Sequence, residues 1–377
     1  MTSTTLKTGL CLPALWLAAL GSTHAAPTAP LNDTGVTQCM ARAGGFHDRC
    51  PGAKQDADAG RDLVNNDNSD GHAGFSFQKI GSDGAALPAG ATEWSCIADR
   101  VTGLLWEMKT DDGGLHDKDN KFTNWGDGRS ANDSGTLVAA VNREGLCGRS
   151  DWRLPSRGEL QGIVDYSTVS PGPSIDSLWF PYSDGYSFWT ATGQVGNSAG
   201  AWYVNFHDGY TAVLSRDYEF GQVRLVSGRS VDTSARFEVV GGGEQIADAV
   251  TGLIWQRCSL GQTWDGTACT GRAQSFSWAA ALSAADAASA DSGVRWRVPN
   301  AKELASISDD QRSDPAIDLT AFPNTPVQLY WTSTPYTSQG PSGAYAWTVY
   351  SFDGSVTSQL VGFPEGLFKL RLVRSGR

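Results

Sequence analysis

A chain of 377 residues with 44 glycines, 14 tryptophans and only 18% charged residues has the composition of a globular protein made of short strands, many turns and long loops. This argues against a disordered chain and against a long-helix architecture. The formal net charge of −11 argues against nucleic acid or an anionic membrane as the main partner, and the length is enough for two ordinary domains plus a small extra module.

The first 25 residues read as a secretory signal peptide. Lys7 supplies a positive start, Gly9 to Gly21 is a short apolar run, and Thr23 and Ala25 form a small-residue cleavage site. The apolar run is too short to span a membrane, and nothing downstream approaches a transmembrane segment. The expectation is an exported protein, either periplasmic or extracellular at the cell surface. Cys11 leaves with the peptide.

Residues 26–72 are polar and rich in Gly, Asp and Asn, with Cys39 and Cys50 bracketing what reads as a small pinned hairpin. Alternation at Phe75, Phe77 and Lys79 predicts a first strand, with Arg236 to Val240 as a later counterpart. VTGLLWE at Val101 to Glu107 predicts a short strand entered by a turn in which Gly103 supplies a positive φ. An acidic loop, Asp111 to Trp125, follows. Asp133 or Ser134 can then cap a helix carrying Leu137, Val138 and Val141 on one face. DWRLPSRGEL at Asp151 to Leu160 sets Ser156 and Glu159 at capping-box spacing, which predicts a second helix. The remainder alternates around a turn at Asp208 and Gly209 and reads as antiparallel strands.

The same order then repeats. VTGLIWQ begins at Val250, RWRVPNAKEL at Arg295, YWTST at Tyr330, and LRLV answers VRLV near the end. Gly103 and Gly252 lie 149 positions apart, Trp152 and Trp296 144, Trp189 and Trp331 142, so the copies differ only by short insertions. A period this long means two domains rather than a solenoid. The expected boundaries are 73–230 and 231–377, with a polar linker near Ser230 to Ala235. Removal of the signal peptide leaves six cysteines, and the duplication narrows their pairing to Cys39 with Cys50, Cys96 with Cys147, and Cys258 with Cys269.

These motifs, DxxTGLxW, then WRLP with its EL helix, then an aromatic-Trp-Thr strand and a terminal VRLV, resemble the Lcl C-terminal domain family, here in two copies covering nearly everything from Ala73 onward. The resemblance implies an α+β fold of two tandem C-type lectin-like domains, each with two short helices, long loops and an antiparallel sheet. It also implies export and a binding or adhesion role toward an extracellular glycan or surface protein, rather than catalysis. Alternatives are a structural component of an envelope or surface assembly, and an unrecognised enzyme on a fold like that of formylglycine-generating enzymes.

Tryptophans kept by both copies (Trp106 and Trp255, Trp152 and Trp296, Trp189 and Trp331, Trp202 and Trp347) read as core. Arg153 and Arg297 read as structural ion-pair partners of Asp99 and Asp248, or of the helix-cap glutamates. Loop aromatics not shared by the copies are the candidates for ligand contact: Trp125, Trp179, Tyr182 and Tyr210 in the first, Trp264 and Tyr336 in the second. A flat ring beside amides and carboxylates suits a sugar. Asp111, Asp112, Asp117 and Asp119 crowd one loop with the oxygen-rich chemistry that calcium takes, the ordinary alternative being a solvated turn. No catalytic motif is evident.

Overall fold

The computed structural model describes residues 1, 27–41, 45–48, 52–63, 67–168, 172–183, 186–218, 221–231, 233, 235–340, 343–362 and 367–376. The expected signal peptide beyond Met1, and Cys50 with its expected bond to Cys39, lie outside those residues.

An N-terminal segment carries a small hairpin of β1 (Gln38–Met40) and β2 (Phe46–Asp48). The first copy holds β3 (Phe77–Ile80), β4 (Cys96–Asp99), β5 (Leu105–Glu107), α1 (Ser134–Glu144), α2 (Arg157–Gly162), β6 (Ser187–Gln194), β7 (Asn197–Asn205), β8 (Thr211–Ser215) and β9 (Val226–Ser227). The second repeats the plan with β10 (Phe237–Val240), β11 (Gln245–Asp248) and β12 (Leu253–Gln256), a short inserted hairpin of β13 (Thr263–Trp264) and β14 (Cys269–Thr270), then α3 (Trp278–Ser292), α4 (Ala301–Ser306), β15 (Leu329–Gly340), β16 (Gly343–Tyr350), β17 (Val356–Leu360) and β18 (Val373–Ser375). The fold is mixed α+β in two tandem domains. In each, the last strand returns to pair with the third, giving four-stranded antiparallel sheets β3-β4-β5-β9 and β10-β11-β12-β18 beside three-stranded sheets β6-β7-β8 and β15-β16-β17.

Local sequence explains the recurring pieces. The β4–β5 turn is held by Asp99, which accepts from the Val101 and Thr102 N–H groups, while Gly103 takes φ +76°. Asp248 and Gly252 (φ +74°) do the same in the second copy. Strand β4 was not legible in the sequence, because Cys96, Ile97 and Asp99 are all buried and no alternation marks it. Asp133 caps α1, and both six-residue helices open with complete capping boxes, Ser156 with Glu159 and Asn300 with Glu303. Two expected disulfides are present, Cys96–Cys147 tying β4 to the turn after α1 and Cys258–Cys269 closing the inserted hairpin.

The copy-conserved tryptophans are core: Trp106, Trp189, Trp255 and Trp331 are fully buried, and Trp152, Trp202, Trp296 and Trp347 nearly so. Trp189 donates to the Phe122 carbonyl and Trp331 to the equivalent Phe276 carbonyl, each at 2.8 Å. Each copy has its own apolar cluster, but the largest cluster spans both, joining Trp106, Leu160 and Phe180 to Trp255, Leu304 and Phe322. Helix α2 packs on α4 and β8 on β17. Like elements meeting like elements is the arrangement of a two-fold dimer, here made within one chain.

The N-terminal segment straps the two copies together. Ala29 donates its N–H to the Val250 carbonyl, Asn32 donates to Asp99, the Thr34 carbonyl accepts from Tyr166 N–H, and Met40 joins the apolar cluster of the second copy. Buried Asp56 accepts from Thr34 of the strap and Thr334 of β15. Lys302 of α4 reaches across the junction, its buried ammonium donating to the Asp33 and Gly162 carbonyls and lying 4.4 Å from the Phe75 ring centre.

Candidate functional site

The arginines beside the conserved tryptophans are structural. Arg153 forks onto Glu159 at 2.7 and 2.8 Å, and Arg297 onto Glu303 at 2.6 Å twice. Of the two partners expected, the cap glutamates are the ones used. Each fork ties the WRLP or WRVP segment to the start of its helix, a bidentate arrangement of high geometric specificity. Arg224 and Arg371, inside VRLV and LRLV, are a feature the sequence reading passed over. Both are buried, donating mainly to carbonyls and hydroxyls: Arg224 to the Glu107 carbonyl and Ser183, Arg371 to the Gln256 carbonyl, Ser259 and Thr325. Burial pushes Arg224 down to about 10. An arginine kept by both copies within an apolar run was the available signal.

With this framework shared, what distinguishes the copies is the loop after the third strand. In the first copy it is pinned by charge. Glu107, fully buried, meets Lys109 at 3.1 Å and His116 at 2.8 Å and accepts from the Leu225 N–H. Burial raises its pKa, yet Lys109, His116 and that N–H outweigh burial and hold it at about 2. The other nitrogen of His116 lies 3.0 Å from Glu144 on α1. Burial works against the imidazolium, but the two carboxylates prevail and the His116 pKa is raised. In the second copy Gln256 and Cys258 stand where Glu107 and Lys109 stand in the first, and the pin is the Cys258–Cys269 bond.

The two loops leave different surfaces. Gln222 and Lys369 are equivalent, each bridging the strand that carries the conserved Trp, at Phe188 and Tyr330. Gln222 is buried and donates to the Lys118 carbonyl of the acidic loop. Lys369 instead borders an open cleft of about 500 Å³ lined by Gln262, Arg272, Ser275 and Gln328 among others. Its ammonium donates to the Ala273 carbonyl and Ser275, and burial together with the Arg272 charge lowers its pKa. Arg272 has no hydrogen-bonded or ion-paired partner among the described residues, so this cleft offers an uncompensated cation in an acidic protein.

The family model of the Lcl C-terminal domain matches residues 95–227 and 244–374. The chain belongs to the Lcl C-terminal domain family. No curated protein matches it. Each matched segment runs from the second strand of a copy to its last, so it takes in three strands of the four-stranded sheet, the helix pair and the whole three-stranded sheet, while β3 and β10 lie just before the matches.

Within these two Lcl C-terminal domains the expected contact residues do not form one locus. Trp179 is only 5% exposed and packs on Phe77 and under Lys79, so its ring is not open to a ligand. Tyr210 and Tyr336 are brought together, 6.3 Å apart, with Trp347 between the copies, and they serve the junction. Tyr182 is 43% exposed. Trp125 is half-buried, its indole N–H donating to Asp217 at 2.7 Å and its ring under Arg129. Trp264 lies on the pinned hairpin with Arg257 3.8 Å above its ring centre. Both tryptophans are therefore held in place near the surface of separate copies. In the acidic loop, Asp117 accepts from the N–H groups of Asp112, Gly113 and Asp119, Asp112 accepts from Gly114 and Thr110, and Lys118 faces Asp111 and Asp119. These carboxylates stabilise the loop itself. Among the described residues no group of three or more His, Cys, Asp or Glu side chains converges as a metal ligand set, and no helix is long and apolar enough to cross a membrane.

Proposed function

We propose that this is an exported, non-enzymatic binding or adhesion protein of two tandem C-type lectin-like domains, recognising an extracellular carbohydrate or surface protein through the loops in which its copies differ. The cleft beside the Cys258–Cys269 hairpin is the observation that carries this reading. It combines an unpaired guanidinium, an ammonium, two side-chain amides and a hydroxyl with a fixed indole, Trp264, two residues from the lining Gln262. Hydrogen-bond donors around a depression, next to a flat ring, suit a sugar that bears an acidic group. The disulfides support export, because such bonds persist in oxidising compartments.

A glycan array with neutral and acidic sugars, run with and without calcium, tests the reading. The expected result is retention of acidic glycans that Arg272→Ala or Trp264→Ala weakens about tenfold or more, corresponding to roughly 1.4 kcal/mol or more. Binding unchanged in both variants and in Trp125→Ala would refute a site on these loops. Failure to retain any glycan would remove the carbohydrate reading and direct the search to a protein ligand.

A further inference from the structure

Within the first copy, the acidic loop lies against β5, α1 and the closing segment. Three groups hold it there: Gln222, which donates to the Lys118 carbonyl from below, Glu107 of β5, and Glu144 of α1. The last two act through a single residue, His116, whose two ring nitrogens each face a carboxylate. Only the doubly protonated ring can donate to both. We propose that residues 110–120 form a proton-latched lid closed against α1 of the first copy, with His116 as the latch.

The surroundings of His116 decide which bond gives way. Glu107 is fully buried and also held by Lys109, by the Leu225 N–H and by the nearby charge of Arg224 on the closing segment. Glu144 is 48% exposed and at the end of α1, beside Arg143 and the solvent. Nearby on the lid itself, Asp112 and Asp117 are occupied by backbone amides and Lys118 by Asp111 and Asp119. When the ring loses a proton, the remaining N–H stays with Glu107, whose buried charge needs it most. The other nitrogen then turns a lone pair toward the Glu144 carboxylate, and attraction becomes repulsion. The lid keeps its hinge at β5 and loses its tie to α1. The second copy has a disulfide in the corresponding loop and no such proton dependence.

The geometry of His116 between Glu107 and Glu144 carries the latch, whatever the protein binds. The test uses the whole chain. Histidine-labelled NMR locates the His116 titration, and hydrogen exchange of residues 110–120, corrected for the intrinsic pH dependence, is compared below and above that midpoint. The expected result is corrected exchange about tenfold faster at the higher pH, with the 258–270 hairpin unchanged. Glu144→Gln, an exposed substitution that leaves the core intact, should shift the titration downward and open the lid at lower pH. Equal corrected exchange at both pH values, or a His116 titration indifferent to Glu144→Gln, would overturn the proposal.

Discussion

Replacing Lys302 by methionine probes the junction of strap, first copy and second copy in one step. The lysine is fully buried, and its ammonium donates to the Asp33 and Gly162 carbonyls. Burial dominates its surroundings and depresses its pKa from 10.5 to about 7, although Asp33, Asp165, Asp99 and Asp56 pull the other way. The unfolded chain therefore holds this proton up to about pH 10.5 while the folded protein releases it near pH 7. Between those values the unfolded state binds more protons, so this group makes stability rise with pH. Across about three pH units, from pH 7 to pH 10, the linkage amounts to roughly 4 kcal/mol. Methionine keeps the volume and removes the titration, at the cost of two carbonyls left without a donor, about 1 to 3 kcal/mol each. Urea unfolding of both proteins at about pH 6 and about pH 10 should show the variant relatively more stable at the lower pH, by roughly 4 kcal/mol compared with its standing at the higher. A stability difference that is the same at both pH values would refute the inverted lysine and the buried junction built on it.

Asp56 gives the opposite slope. Burial and the Asp33 charge raise it to about 8, so its contribution is full below the unfolded value of 3.8 and is lost as pH rises through 8. Asp56→Asn should therefore gain on the wild type as unfolding is measured from pH 4 to pH 8. Removing Cys96–Cys147 by paired alanines, the larger loop of the two, should cost about 4 kcal/mol and removing Cys258–Cys269 about 3 kcal/mol in the chain-entropy account, measured as loss of unfolding free energy. Peptide mapping without reduction should recover both bonds. Trp189→Phe should cost about 1 to 3 kcal/mol by removing the indole donor from the Phe122 carbonyl, and Trp331→Phe less, because the Phe276 carbonyl still accepts from the Phe368 N–H, both seen in denaturant midpoints.

Much of the fold was legible in the chain because its determinants are local. The capping boxes at Ser156 and Asn300, the positive-φ glycines after Val101 and Val250, and the apolar face of α1 each depend on residues a few positions apart. Repetition of the whole series made two domains plain, and the cap glutamates named as one option for Arg153 and Arg297 lie only six residues from them. The candidate site was less legible. Trp179 looked like its neighbours on other loops, but the position of Phe77 and Lys79, a hundred residues earlier, buries it. The acidic loop looked like a cation site, but its oxygens close on its own backbone amides.

By itself the sequence determined that a framework of short elements is repeated, that cysteines pair within copies, and that the loop after VTGLLWE or VTGLIWQ is where the copies part. The tertiary structure alone decided how that difference is expressed. Only when β5, α1 and the closing segment meet do Glu107, His116 and Glu144 form one pin, and only when the flanks of the inserted hairpin, Pro326, Gln328 and Lys369 meet is the cleft formed. Packing of like elements across the junction, and the strap that buries Lys302 and Asp56, follow the same rule. Desolvation and charge pairing act through space, so groups remote in sequence acquire their properties from neighbours that no local pattern names.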